Sequence, residues 1–179
     1  MKTLTEKAGR RNRGLWDFAV ALYARPGVAS ACLRLQNRHG VDVPLLLAAI
    51  WHAAAGRGVL DRRRCATWRA IARRWHRRAI GPLRAARNAI KADATRDPAV
   101  AALRKAILAA ELEAERLCLA EIEGLAAPGR PAARPRGTPA QRNAEMFVRG
   151  RTARATLTKI ISALDGHAVN QRSGRGRNN

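Results

Sequence analysis

The chain has 179 residues, about the length of one domain, and a net charge of +22 from 35 Lys and Arg against 13 Asp and Glu. Alanine makes up 38 of the residues, so the larger apolar side chains can form only a small core, and no apolar run approaches the roughly 20 residues of a membrane-spanning helix. Three Cys are too few for a disulfide scaffold and no signal peptide is visible, so we expect a reduced, cytoplasmic protein.

The basic residues are concentrated in two blocks. Residues 61–91 hold eleven Lys or Arg and one Asp, and residues 128–179 hold eleven Lys or Arg and two acids. Residues 92–127, which separate the blocks, are net negative. Of the 35 basic residues 30 are Arg, which a GC-rich genome would favour, but codon bias does not remove carboxylates. The charge therefore predicts an anionic partner.

Apolar periodicity predicts three helices before residue 60. The first spans Leu15–Ala24 and ends before Pro26, and the second runs from there to about Arg38 with Gly40 as its stop. Asp42 is a good N-cap for the third helix. That helix is apolar nearly all round, which predicts that it lies at the centre of the bundle.

A fourth helix, about Arg62–Ala79, is amphipathic. Its apolar side carries Trp68, Ala72, Trp75 and Ala79, and the opposite side carries Arg62, Arg69, Arg73 and Arg77. Gly81-Pro82 is expected to break the chain, and a short helix then places Arg84, Arg87 and Lys91 on one face. We expect these seven basic side chains to bind an anion. The alternative for the four arginines of the fourth helix is a solvated helix face, partly neutralised by the acidic helix that follows.

The Asp97-Pro98 pair predicts the start of a long helix that runs to Glu123. Its main apolar row has heptad spacing and consists of Val100, Leu103, Ile107, Ala110, Ala114 and Leu117; a second row is Leu108, Leu112, Leu119 and Ile122. Because a stable coiled coil usually sustains three or more heptads, packing within the chain is favoured over a coiled coil.

These elements predict an all-α fold, a compact bundle of five or six helices over residues 15–125 with a basic, partly disordered C-terminal extension. The other segments are a basic N-terminal arm (1–14), a Pro/Gly/Arg-rich linker (126–139), a helix at 140–165 opened by Thr138 and Pro139 and interrupted by Gly150, and a disordered basic tail (166–179). We expect few contacts to cross residue 125.

The first 120 residues resemble an uncharacterised, largely proteobacterial family that carries the domain of unknown function 2390. The resemblance rests on Leu15-Trp16-Asp17-Phe18, Leu22-Tyr23, Pro26-Gly27-Val28, Cys32-Leu33, Leu35-Gln36, His39-Gly40, Asp42-Val43, Leu45-Leu46-Leu47, Trp51, Pro82-Leu83-Arg84, Glu111-Leu112 and Ala114-Glu115-Arg116. Asn37 and Pro44 depart from the Asp and Asn of the family pattern. The resemblance implies a compact helical fold and a cytoplasmic location, but no activity or cofactor.

No catalytic constellation stands out, and we expect neither an enzyme nor a cofactor. The chain has no nucleophile elbow, P-loop or glycine fingerprint. Cys32, His39, His52 and Cys65 lack the spacing of a zinc site, so we expect no metal. Glu111 and Glu115, one turn apart, are expected to pair with Arg rather than to bind a cation.

Two functions remain as hypotheses. The basic residues favour a binding protein that contacts the phosphates of RNA or DNA. The resemblance favours a protein adaptor that offers the surface around Gln36, Asn37 and His39 to an acidic protein. We expect all four Trp to pack in the core; if the Trp face of the fourth helix were not covered, that basic helix would also suit a membrane surface.

Overall fold

The computed structural model describes residues 14–126 and 138–173, and beyond Leu164 only the backbone. Every regular element in these ranges is helical, which confirms the predicted all-α class. Most of the predicted N-terminal arm and linker, and residues 174–179 of the predicted tail, lie outside the described residues. Within the described ranges none of the helices is long and apolar enough to span a membrane.

The described residues form eight α-helices: six within residues 15–125, where five or six were predicted, and two in the C-terminal extension, where one was predicted. They are α1 (Leu15–Tyr23), α2 (Val28–His39), α3 (Val43–Ala54), α4 (Arg62–Trp75), α5 (Gly81–Ala89), α6 (Pro98–Gly124), α7 (Pro139–Glu145) and α8 (Arg151–Ser173). A π-helical turn, His76–Ile80, joins α4 to α5, and a 3-10 turn, Asp93–Thr95, precedes α6. The predicted disordered tail is therefore wrong for residues 166–173, which continue α8.

The predicted helix ends are confirmed where a cap defines them. The Asp42 carboxylate accepts a hydrogen bond from the Leu45 amide at 3.0 Å, and Asp97 accepts one from the Ala99 amide at 2.7 Å. Thr138 caps α7 through its hydroxyl. Gly40 ends α2 in the left-handed conformation, with a φ of 60° that few other residues adopt.

The predicted chain break at Gly81-Pro82 is wrong. The backbone stays helical through the π turn, where the Gly81 amide bonds the His76 carbonyl five residues earlier. This wider turn relieves the steric conflict that Pro82 would cause in a regular helix, since its ring would meet a preceding carbonyl. Only Gly fits position 81, because a Cβ there would lie 2.7 Å from the His76 carbonyl oxygen.

The helices form two compact units instead of one bundle over 15–125. Unit 1 combines residues up to 61 with those from 126 onward, and unit 2 is residues 62–125. In unit 1, α7 packs on α3, and α8 packs on α2. The expectation of few contacts across residue 125 is wrong because the C-terminal helices bury an apolar row of their own: Ala140, Ala144, Val148, Ala153, Leu157, Ile160 and Ile161.

The prediction that α3 lies at the centre of the helical core is confirmed within unit 1. The helix has buried residues on all sides, and Trp51 is only 2% exposed. The fully buried side chain of Asn143, on α7, holds the segment after α3 in place through hydrogen bonds. It accepts a hydrogen bond from the Leu60 amide at 2.8 Å and donates to the carbonyls of Gly58 (3.0 Å) and Ala49 (3.2 Å).

The predicted main apolar row of α6 is not the face that unit 2 buries. The helix buries Glu111, Ala114, Cys118, Leu119 and Ile122, all in its C-terminal half. Leu103 and Leu117 of the heptad row are 53% and 41% exposed. The apolar pattern does not indicate the buried face because α5 contacts α6 through ion pairs at Glu111, and α4 contacts it through hydrogen bonds to Glu121. Such polar contacts leave no apolar periodicity in the sequence.

Replacement of Asn143 by Ala is expected to lower the free energy of unfolding of unit 1 by about 2–4 kcal/mol, because it leaves the buried Leu60 amide and Gly58 carbonyl without their partner. Urea denaturation followed by Trp fluorescence measures the change. Asn37→Ala, at an exposed position of α2, is the control and should shift stability by less than about 0.5 kcal/mol. Equal effects of the two substitutions would show that Asn143 does not fasten this segment.

A chain that ends at Leu125 is expected to lose helicity in residues 14–61 and to aggregate, because removal of α7 and α8 uncovers the apolar sides of α3 and α2. Circular dichroism per residue and light scattering, compared with the full chain, measure both effects. A truncated chain that stayed monomeric with unchanged helicity per residue would show that α7 and α8 are dispensable.

Candidate nucleic-acid interface

Helix α4 separates an apolar side from a basic side as the sequence predicts. The buried residues are Cys65, Trp68, Ile71 and Ala72. On the opposite side lie Arg62, Arg69, Arg73 and Arg77, which we call the α4 basic face. Arg62, Arg73 and Arg77 are exposed and Arg69 is half-buried. Because Trp68 is fully buried, the apolar side is filled by the protein and offers nothing to a membrane surface.

A second set of interactions holds the end of α4 against α6. The Trp75 indole donates to a Glu121 carboxylate oxygen at 2.9 Å, and Arg74 forms an ion pair with the same oxygen. The hydrogen bonds from Trp75 and Arg74 lower the pKa of Glu121 below its usual range. Arg74 therefore points toward the acidic helix, away from the α4 basic face.

Glu111 is the buried centre of a larger ion-pair cluster. Its carboxylate is bonded by the Nε atoms of Arg84 at 2.7 Å and Arg87 at 2.6 Å, and Arg84 also reaches Glu115 at 2.7 Å. Burial by itself would raise the pKa of Glu111, but the hydrogen bonds from Arg87 and Arg84 outweigh it, and the pKa is lowered. The predicted pairing of Glu111 and Glu115 with Arg is confirmed.

The cluster changes what the predicted anion-binding residues on α5 can do. Arg84 and Arg87 are largely covered and bonded by carboxylates, so their charge is neutralised within unit 2. Lys91, which the sequence groups with them, is exposed. The structure thus divides these arginines into a set paired with carboxylates of α6, which consists of the covered Arg84 and Arg87 and the more exposed Arg74, and an outer set on α4 and the π turn.

The outer set contains more exposed basic residues than the sequence predicts, because the π turn contributes some of them. His76, Arg77 and Arg78 are three consecutive exposed residues. At the other end, Arg62 and Arg63 are exposed in the first turn of α4. The positive end of the helix dipole disfavours cations at that position and favours anions, so these arginines reduce the stability of the helix while they strengthen attraction for a phosphate.

The aromatic residues of unit 2 give little support to stacking of bases, and the exposed aromatic Tyr23, at 36%, belongs to α1 in unit 1. Trp51 and Trp68 are buried, and Trp16 and Trp75 are half-buried.

Cys32, Cys65 and Cys118 are buried free thiols, and burial raises the pKa of the Cys32 thiol to about 11. No group of three or more His, Cys, Asp or Glu in the described residues is placed to hold a metal ion.

The residues of the predicted adaptor surface lie on α2, in unit 1. Asn37 and His39 are exposed and Gln36 is half-buried. Leu33, one turn before Asn37 on the same side of the helix, is 48% exposed. None of these residues belongs to the unit that carries the α4 basic face.

Comparison with known families adds one match. The family described as "Protein of unknown function (DUF2390)" matches residues 14–122, more than half of the chain. The chain belongs to this family. The matched region ends before α7 and α8, which unit 1 needs for its core. No curated protein and no solved structure matches the chain.

Glu111→Gln is expected to destabilise unit 2 by about 3 kcal/mol at neutral pH, since it leaves two guanidinium groups without their shared carboxylate. The lowered pKa of Glu111 means that its contribution is present above its unfolded pKa of about 4.3 and is lost as the pH falls through the folded value. Urea midpoints across this range should therefore converge for the wild type and the variant in acid.

Glu113→Gln is the control for this prediction. Glu113 lies two residues away on α6 and pairs with Arg116 on the exposed side of the helix. Such exposed pairs contribute little to stability, so the urea midpoint should barely change. A midpoint for Glu111→Gln equal to that of Glu113→Gln would show that the cluster does not hold unit 2 together.

Proposed function

We propose that this DUF2390 protein is a non-catalytic, cytoplasmic binding protein whose α4 basic face contacts the phosphate backbone of RNA or DNA. The observation that carries the proposal is the division of arginines in unit 2. Carboxylates of α6 form ion pairs with Arg74, Arg84 and Arg87. Arg62, Arg73 and Arg77 have no ion pair among the described residues. Unit 2 thus keeps a positive electrostatic potential at the α4 basic face, although the carboxylates of α6 neutralise the arginines that they contact.

The spacing of the exposed arginines suits a polyanion better than a single small anion. Arg62 and Arg77 lie 15 residues apart, which corresponds to about 22 Å at 1.5 Å per helical residue. Duplex DNA carries one phosphate charge per about 1.7 Å of its axis when both strands are counted, so this length spans several phosphates. Cations spread over it can therefore meet more than one phosphate, which a single small anion cannot provide.

The same observations argue for contacts to phosphates rather than to bases. A stacking platform requires exposed aromatic side chains, and no Trp in the described residues is exposed. Ala66 and Ala70 are exposed between the arginines, so apart from the guanidinium groups themselves this part of α4 offers few side chains for reading base edges. Binding of this kind depends on salt and varies little with sequence.

The test is a triple variant, Arg62→Gln, Arg73→Gln and Arg77→Gln. Each lost phosphate contact should flatten the plot of log K against log salt by about 0.9 on duplex DNA and about 0.7 on single strands, so the slope should change by about 2–3 units. Binding should weaken similarly for every sequence. Helicity should hardly change, because Gln is nearly as good a helix former as Arg. Fluorescence anisotropy at several salt concentrations measures the slope.

A matched control variant tests whether binding depends on the α4 basic face or on the net charge of the whole protein. Arg34, Arg149 and Arg151 are exposed residues of unit 1, and their replacement by Gln removes the same three charges. The control should lose less than one unit of slope. Equal slope changes in both variants would mean that total charge, and not the α4 basic face, binds the polymer. Absence of binding by the wild type at about 50 mM salt would end the proposal.

The adaptor function remains the second candidate, because Leu33 is exposed on α2 beside Asn37, inside the region that matches the family. A single exposed leucine is common on protein surfaces, so it supports the adaptor only together with the polar side chains of Gln36, Asn37 and His39 beside it. Replacement of Gln36 and His39 by Ala, followed by a pull-down, tests it. Recovery of one acidic protein by the wild type and not by this variant would favour the adaptor, above all if nucleic-acid binding were absent.

A further inference from the structure

Helix α4 carries exposed arginines on both sides of a line of alanines. Ala66 and Ala70 are exposed and lie in the middle of the solvent side of the helix. At about 100° per residue, Arg62 and Arg73 lie roughly 60° and 40° to one side of the line through these alanines. Arg63 lies roughly 40° to the other side. All three arginines are exposed, and we call Arg62 and Arg73 the first arginine row.

The π turn extends the other side of this arrangement. Arg78 is exposed in the turn, and because a π turn advances less per residue than an α-helix, it lies on the same side of the alanines as Arg63. We call Arg63 and Arg78 the second arginine row. Thr67, also on this side, donates its hydroxyl to the Arg63 carbonyl at 3.1 Å. Neither α4 nor the π turn contains Asp or Glu, so both rows lie on helical segments that carry only positive charge.

The arrangement matches the shape of the major groove of duplex DNA. An α-helix with its side chains is about 10–12 Å across, and this groove is about 12 Å wide and about 8.5 Å deep. The short side chains of Ala66 and Ala70 allow the helix to approach the base edges closely. The two arginine rows then face the phosphates of the two strands that border the groove. A helix that followed one strand would use one row and leave the other in solvent.

The fit favours duplex DNA over RNA and over single strands. The major groove of A-form RNA is deep and narrow, so a helix does not enter it, and its wide groove presents 2′-hydroxyls with which Ala66 and Ala70 cannot form hydrogen bonds. Single strands are held by exposed aromatic side chains on which bases stack. In α4, Trp68 is buried and Trp75 is half-buried.

We propose, on the basis of the function proposed above, that α4 enters the major groove of duplex DNA with one arginine row on each strand. The burial of Trp68 and the bonds of the last turn to Glu121 hold α4 on unit 2 with the alanines outward. Because Ala66 and Ala70 form no hydrogen bond with a base edge, this contact orients the helix in the groove without selecting a sequence.

The first experiment compares three duplexes of one sequence by fluorescence anisotropy at about 0.1 M salt. They are unmodified DNA, DNA whose cytosines carry glucosylated hydroxymethyl groups at C5, and RNA. The glucosyl groups fill the major groove and leave every phosphate unchanged. The dissociation constant should be at least about tenfold higher for the glucosylated DNA and for the RNA, because at least one arginine row then loses its phosphates.

The outcomes separate this proposal from the proposed function. Equal affinity for unmodified and glucosylated DNA would overturn it, because the phosphates would then be contacted from outside the groove. Binding of RNA as tight as that of unmodified DNA would overturn the assignment to the major groove of DNA. Both results would leave the proposed contact with a phosphate backbone in place. Absence of binding to all three duplexes would end the proposed function itself.

The second experiment tests the two arginine rows separately on unmodified DNA. One variant combines Arg62→Gln with Arg73→Gln, and the other combines Arg63→Gln with Arg78→Gln. Each should flatten the plot of log K against log salt by about 1.8, because each lost phosphate contact accounts for about 0.9. A slope that changed in only one of the two variants would show that α4 lies along a single strand and would overturn the proposal.

The matched control combines Arg34→Gln with Arg149→Gln, which removes two charges from exposed residues of unit 1. Its slope should change by less than about 0.9. Far-UV circular dichroism of both row variants should match the wild type, because Gln is nearly as good a helix former as Arg. If a row variant were unfolded, the single substitutions Arg73→Gln and Arg63→Gln provide the same comparison, each with about half the change in slope.

Discussion

The buried carboxylate of Glu111 is the interaction on which unit 2 depends. A chain segment with eleven Lys or Arg in residues 61–91 cannot pack its helices closely unless some of that charge is neutralised at the contact. Glu111 does this for Arg84 and Arg87 together, with Glu115 as a second acceptor for Arg84, and Glu121 repeats the arrangement with Arg74 and Trp75. Helix α4 is oriented by its buried side, Cys65, Trp68, Ile71 and Ala72, and by the bonds of its last turn to Glu121. This orientation leaves Arg62, Arg73 and Arg77 exposed.

Unit 1 depends on a neutral polar contact instead. Asn143 satisfies an amide and a carbonyl in the segment after α3 and a carbonyl of α3 itself, in a place that water does not reach. Arg25 adds a hydrogen bond to the Ala163 carbonyl at 2.6 Å, which joins the start of the chain to α8. The family match ends at residue 122, yet the helices that close this core follow residue 138. The C-terminal extension therefore completes the first unit of the family region.

The exposed surfaces of unit 2 arise because only one side of each helix is needed for packing. Helix α4 is held by Trp68 and its neighbours, which leaves the arginines of the opposite side exposed. Helix α6 is held by the half that contains Glu111, which leaves Leu103 and Leu117 exposed.

The sequence by itself determined the all-α class, the caps at Asp42, Asp97 and Thr138, the central position of α3 and the amphipathic character of α4, because these depend on local periodicity and on hydrogen bonds between near neighbours. It also indicated that Glu111 and Glu115 pair with Arg. Only the tertiary structure decided which arginines are paired, which side of α6 is buried and that α7 and α8 belong to the core. Those outcomes depend on contacts between residues far apart in the chain. The apolar row of α7 and α8 is interrupted at Gly150 and includes three alanines among its seven residues, and the Glu111 contact is polar, so neither left a clear apolar pattern in the sequence.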